Sequence, residues 1–302
     1  MGAAGPCLPR LCQEVPMPRV SVLMPVYDTR PEHLREAIES ILAQTFRDFE
    51  FLIFNDGSTD PQVEAVVKSY ADPRIVYAAS RRNLGISGAR NRLLDMARGE
   101  YLAVMDHDDV SLPERFARQV AYLDEHPEVG VLHCQFEEME SGRRSHLAMD
   151  DIAIKKALMV HCGNMCHPAC MLRRSVLEKA GLRYEEQFSP SEDHALFCRL
   201  IPHTKFAALP EVLFRYRSWE GNTSHRRAKL MEAASNAVRD FARRDYPDIW
   251  ALAQPHILRR WRFRLFGLIV LTREQAWRET RWKLFGLIPV WSVKERILRI
   301  KL

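Results

Sequence analysis

No stretch of this 302-residue chain is apolar for long enough to cross a bilayer. The longest apolar run in its basic tail, Leu265 to Leu271, is far short of the roughly 20 residues a spanning helix needs. Met1 to Pro18 holds four prolines, shows no basic-then-apolar leader, and is expected to be disordered or to precede a true start at Met17. Gly2 does not open a myristoylation motif, because Pro6 stands where Ser or Thr is required. Neither a Walker loop nor a Gly-x-Gly-x-x-Gly fingerprint is present, which removes P-loop and dinucleotide-binding readings. Cysteine is sparse and odd in number, seven in all, and mostly set in apolar surroundings such as Val131–Cys134. That usage fits free thiols in a reducing, cytoplasmic compartment. His161, Cys162, Cys166, His167 and Cys170 match no common zinc spacing, and Gly163 and Pro168 interrupt any helix that would align them. They read as buried thiols and neighbours.

What is present is a core: 47% of the residues are hydrophobic, enough for one large domain and an appendage. Within it, the run Leu102 to Met105 stops at Asp106, Asp108 and Asp109. An apolar run bounded by polar residues reads as a strand buried on both faces, and carboxylates at its end carry a cost of several kcal/mol unless something pairs with them. By strand alternation Asp106 and Asp108 point the same way, a hard-oxygen pair suited to Mg²⁺ or Mn²⁺. The bland alternative, a helix cap for the segment from Ser111, needs one acidic residue rather than three.

Strands and helices alternate through the first half. Arg19 to Pro25, Phe49 to Phe54, Arg74 to Tyr77 and Tyr101 to Met105 read as strands, separated by helices over Pro31 to Phe46, from Asp60 onward, and over Ser87 to Ala97. The order predicts a mostly parallel, Rossmann-like α/β sheet with helices on both faces and ligands beyond the carboxyl ends of the strands. Pro25, Tyr27 and Asp28, then Asp56, then Asp106 and Asp108 all fall at that edge. Tyr27 offers a face for stacking a base, Asp56 an acceptor for a base edge, and Arg81, Arg82 and Arg90 positive charge for a diphosphate. Further on, strands are expected at Val129 to Phe136 and His167 to Arg173, and helices at Asp150 to Val160, Ser175 to Ala180 and after Glu192. Glu192 and Asp193 sit in a first helical turn, either for the dipole's sake or as a general base.

The ordered set of these motifs resembles family 2 of the nucleotide-sugar glycosyltransferases, with the GT-A fold, over about Val20 to Ser224. It includes Val22 to Asp28, Asn55 to Asp60, Asn83 to Gly85 with Ala89 to Asn91, Asp106 to Asp109, His167 to Arg173, Tyr184 with Phe188, Glu192-Asp193, and Tyr216 to Ser224. Asp28 stands where the family more often has Asn, and Trp219 where it often has His. The resemblance implies an inverting transfer of a sugar from a nucleotide-diphosphate donor, with a lean to UDP, onto a glycan or lipid-linked acceptor. It implies Asp193 as base beside Glu192, donor contacts from Pro25, Tyr27, Asp28, Asp56, Asn83, Arg90 and Asp106, and a Mn²⁺ or Mg²⁺ ion on Asp106 and Asp108, with His225 a candidate third ligand. A non-catalytic nucleotide-binding or scaffold subunit and a nucleotidyltransferase are the rival readings; the second gives no reason for Glu192-Asp193.

The net charge of +5 is unevenly spread. Between Pro255 and Leu302 twelve Lys and Arg stand against three Glu, a local +9, so the rest of the chain carries −4. Four of the six tryptophans are there too. Residues 19–225 are expected to form the GT-A domain and 226–302 a helical tail. Its Arg and Trp composition suits the inner face of an anionic membrane, against two plainer readings, packing on the catalytic domain and an oligomer interface; no nucleic-acid fold accompanies it.

Overall fold

A computed structural model describes residues 17–160, 165–219, 222 and 227–253, and the backbone of four further strands between residues 259 and 294. The expectation for the N-terminal segment lies, apart from Met17 and Pro18, outside the described residues, as do His161, Cys162 and His225.

The domain is built on a mixed eight-stranded sheet. Its strands are β1 (Val20–Val26), β2 (Phe49–Asn55), β3 (Ile75–Ala79), β4 (Tyr101–Val104), β5 (Val110–Ser111), β6 (Val129–Glu138), β7 (Met171–Arg173) and β8 (Lys205–Tyr216), in the order β3-β2-β1-β4-β7-β6-β8-β5. The half that begins the chain, β3-β2-β1-β4, is parallel, while β7 runs antiparallel to both β4 and β6. Every residue of β1, β2 and β4 is buried, which is why these strands are continuously apolar rather than alternating. Two of their polar residues satisfy each other at the amino ends: Ser21 Oγ donates to Glu50 Oε1 at 2.6 Å, and Arg98 closes on the Glu50 carboxylate at 2.7 and 2.9 Å. The opposite, carboxyl ends of β1, β2 and β4 are left for function.

Helices α1 (Pro31–Leu42), α2 (Pro61–Lys68), α3 (Gly85–Met96) and α4 (Arg115–Glu125) cover the sheet, followed by α5 (Asp151–Leu158), α6 (Arg174–Ala180) and α7 (Glu192–Leu200). Leu34, Ala37, Ile38 and Ile41 of α1 bury the stripe expected from their spacing. Asp60 caps α2 by accepting from Gln62 N at 2.8 Å, with Pro61 in the first helical position. The strand expected from His167 is corrected: His167–Ala169 is a 3₁₀ turn, since Pro168 has no N–H to offer a ladder, and only Met171–Arg173 pairs.

The expected helical tail is half right. Helices α8 (Ala228–Asp245) and α9 (Pro247–Ala253) follow the domain, but β9 (Arg259–Leu265), β10 (Leu268–Ala276), β11 (Glu279–Leu284) and β12 (Ile288–Lys294) form an antiparallel sheet. The reason is legible in Arg260-Trp-Arg-Phe-Arg-Leu265, where basic and apolar residues alternate with period two, not 3.6. Register sets Trp261, Arg273, Trp282 and Trp291 in one row across the four strands. Arg260, Glu274, Arg281 and Ser292 form the adjacent row, on the other face. No helix among the described residues is long and apolar enough to cross a membrane.

Candidate active site

At the carboxyl end of β1 the chain turns through Asp28, whose φ of 40° is positive, a conformation Asp tolerates better than most residues. Asp28 Oδ1 accepts from Thr59 N at 2.7 Å, and its own N–H donates to Ser58 Oγ at 3.1 Å, so the ends of β1 and β2 are knitted together. Gly57 lies in the same turn with φ 74°, and a Cβ there would come within 2.8 Å of the Arg82 backbone; the tight approach requires glycine. Asp56 is buried and accepts from Leu84 N at 2.8 Å at the start of α3. Burial pushes its carboxyl above the ordinary value, against the pull of that backbone bond. Asn83 is exposed and turns its Oδ1 back to Gly85 N. Pro25 is buried within β1, while Tyr27 is 44% exposed and presents an open ring beside Asp28 and Asp56.

Strand β4 ends at Val104, so the alternation argument for Asp106 and Asp108 does not carry; His107 and Asp108 form a turn. The two carboxylates still feel one another, and burial and the Asp108 charge together hold Asp106 above its ordinary value. Asp106 Oδ1 accepts from Arg90 at 3.3 Å, and Asp108 Oδ2 from the Trp219 indole N–H at 3.0 Å. Among the described residues those bonds leave one oxygen on each carboxylate uncommitted. Asp109 is different: it is buried, accepts from Arg217 N at 2.8 Å, and serves to anchor the segment after β8.

Arg90 was expected to face a diphosphate. It is instead 8% exposed, with Nη1 on Glu192 Oε1 at 2.5 Å and Nη2 on Asp106. It joins the aspartate turn after β4 to the first turn of α7, and the surrounding carboxylates hold it above the ordinary guanidinium value against the effect of burial. Burial likewise raises Glu192, the Arg90 charge opposing. Asp193, next in sequence, is half-buried and accepts from His194 N. Asn91 fixes the register of this region by a reciprocal pair of bonds with the Tyr184 backbone at 2.9 and 3.0 Å. Tyr184 OH in turn meets His167 Nε2 at 2.8 Å. Three carboxylates, of Asp106, Glu192 and Asp193, thus share the field of one buried arginine, and Asp108 adds its charge beside Asp106. Such an excess of negative charge fits a divalent cation that takes oxygen from Asp106 and Asp108 and the remainder from water and phosphate. No third His, Cys, Asp or Glu is placed with them among the described residues.

Sequence reasoning missed Trp219 as a partner of Asp108, and Arg30 and His33, which pack on the same indole. No local signal marks them, because the three segments are distant in the chain. The buried thiols are found as expected at Cys134, Cys166, Cys170 and Cys198.

The family described as Glycosyl transferase family 2 matches residues 21–181. An uncharacterised glycosyltransferase of Methanocaldococcus jannaschii is 31% identical over 68% of this chain and 72% of its own. The amylovoran biosynthesis glycosyltransferase AmsE of Erwinia amylovora is 30% identical over 68% of this chain and 79% of its own. Among solved structures, TarS of S. aureus in complex with UDP-GlcNAc superposes with TM-score 0.59 at 18% identity, over 79% of this chain and 80% of that one. A mannosyltransferase of Pyrobaculum calidifontis with GDP-Man and Mn²⁺ gives TM-score 0.58 at 19% identity, over 80% and 71%. The two superpositions are likenesses of fold, and the fold is that expected of a GT-A domain.

Proposed function

The chain belongs to glycosyl transferase family 2, and from that premise we propose that it moves a sugar from a nucleotide-diphosphate donor to an acceptor hydroxyl with inversion. The observation that supports this reading is the Arg90 bridge, which ties Asp106 after β4 to Glu192 in the first turn of α7. Tyr27 and Asp56 hold the nucleoside, the ring by stacking and the carboxylate at a base edge. Asp106 and Asp108 would hold Mg²⁺ or Mn²⁺, which when bound supplies positive charge against the diphosphate.

Of the two acidic residues on α7, Glu192 is committed to Arg90 and nearly closed to solvent, whereas Asp193 is half-open. Asp193 is therefore the base. Its carboxylate takes the proton of the acceptor hydroxyl as that oxygen attacks the anomeric carbon, and the bond to the diphosphate oxygen breaks on the opposite face. A single displacement inverts the configuration, for the reason that separates inverting from retaining glycoside hydrolysis. Glu192 and Arg90 position Asp193 by fixing the start of α7.

UDP-sugars lead the donor classes, on the strength of the sequence resemblance and of the TarS complex with UDP-GlcNAc; the transferred unit is a hexose or N-acetylhexosamine. A cell-surface polysaccharide or its lipid-linked precursor is the acceptor class, in keeping with the amylovoran relative. The tail, with three tryptophans in one row of its sheet and a local charge of +9, docks the enzyme on the inner face of an anionic membrane. Thermal-shift screening of UDP- and GDP-sugars with Mn²⁺, followed by release of nucleoside diphosphate, tests the reading. Stabilisation and turnover by one donor class support it; a fold that neither binds nor hydrolyses any donor would be a non-catalytic subunit.

A further inference from the structure

Arg30 is the N-cap residue of α1, with extended backbone (φ −67°, ψ 132°), and its side chain makes no capping bond. Its guanidinium carbon lies 4.7 Å from the centroid of the Trp219 ring. The same indole donates to Asp108 Oδ2 at 3.0 Å, and His33, in the first turn of α1, meets it edge-on at 5.3 Å. His33 is buried, and among the described residues its Nδ1 has no hydrogen-bond partner. The start of α1 and the segment after β8 therefore meet over the aspartate turn, with Trp219 as the hinge between them.

The other two arginines around that turn are spent. Arg90 is buried on Glu192 and Asp106; Arg217 donates to the Asp108 carbonyl at 2.6 Å and to Glu36. Arg30 is exposed, and among the described residues no carboxylate or other acceptor engages its guanidinium. Stacking on an indole restrains a guanidinium through its face and leaves the N–H donors along its edge available. The positive end of the α1 dipole begins at this residue and adds to the attraction for an anion.

We propose that Arg30, carried on Trp219, is a phosphate-binding residue of the donor site, giving two N–H groups to the diphosphate that Asp106 and Asp108 face. The inference rests on the donor reading above and adds a residue to it. Trp219 is a positioning residue in two directions: its ring holds Arg30, and its N–H holds Asp108. As the bond to the anomeric carbon breaks, Arg30 offsets negative charge gathering on the departing diphosphate.

Calorimetry on the full chain with Mn²⁺, using UDP and GDP and the matching nucleosides, tests this. Arg30→Gln is expected to weaken the nucleoside diphosphate by about tenfold or more, the worth of a charge-assisted bidentate contact, while leaving the nucleoside unchanged as a control for folding. Arg30→Lys recovers part of the affinity, and Trp219→Leu loses as much as Arg30→Gln. Trp219→Phe, which keeps a ring and drops the N–H, retains more than Trp219→Leu. Wild-type protein that binds neither diphosphate overturns the donor reading and this inference with it. Tight wild-type binding matched within twofold by Arg30→Gln overturns the inference alone.

Discussion

Arg90 and Glu192, 102 residues apart in the chain, are joined at 2.5 Å inside the protein, and the same guanidinium reaches Asp106 at 3.3 Å. The bond couples the carboxyl edge of the sheet to the helix that carries Asp193, the proposed base. Both side chains are closed off from water, so neither can be removed without stranding the other.

Arg90→Met is accordingly expected to cost about 3–5 kcal/mol of stability, the usual penalty for breaking one side of a buried pair. The double variant Arg90→Met/Glu192→Met should be markedly less unstable than the sum of the singles. Urea unfolding of all three checks this, and simple additivity would remove the coupling.

Asp193→Asn should lower kcat by about 10²–10⁴, the range for loss of a general base, with the donor Kd within about twofold of wild type. Near-normal turnover would refute the assignment. Glu192→Gln is expected to act first on stability, since its partner is Arg90 rather than a substrate.

The carboxylate pair predicts how the donor site responds to chelation. Nucleoside diphosphate affinity of the wild type should fall on adding EDTA and return with Mn²⁺. Asp108→Ala should bind weakly under both conditions. A wild-type affinity indifferent to chelator would detach the nucleotide from these aspartates.

His133 is wholly buried, and burial lowers its imidazole to about 4 from an ordinary 6.5. The unfolded chain takes up the proton first, so the native state loses stability as pH falls from 6.5 toward 4, by about 3 kcal/mol at the limit. The loss is already complete below that window, and stability is fully retained above it. Unfolding free energies from urea titration, measured from pH 7 to 4, should fall by that amount more in wild type than in His133→Leu; parallel curves would show that His133 carries none of the acid sensitivity.

Ending the chain after Ala253, or replacing Arg260, Arg262 and Arg264 by Ser, should reduce flotation with anionic vesicles, the more so at low salt. Equal flotation of all forms would end the membrane reading of the tail sheet.

Much of this protein is written locally. Apolar runs fixed the buried strands, the Leu34-Ala37-Ile38-Ile41 spacing fixed α1, and Asp60-Pro61 fixed the start of α2, because each depends on periodicity or on a single cap. The tail's strands are written there as well, in the alternation of Arg260 to Leu265. Side-chain partnership across the sheet was not local. That Arg90 turns inward to Glu192, that Glu192 is closed while Asp193 stays half-open, and that Trp219 brings Arg30 and Asp108 together depend on where strands and helices end in space. The sequence determined which residues could carry charge and which faces would be buried. Only the tertiary structure decided which charges neutralise each other and which remain for a ligand, because that choice turns on separations of a few ångströms between segments up to 189 residues apart.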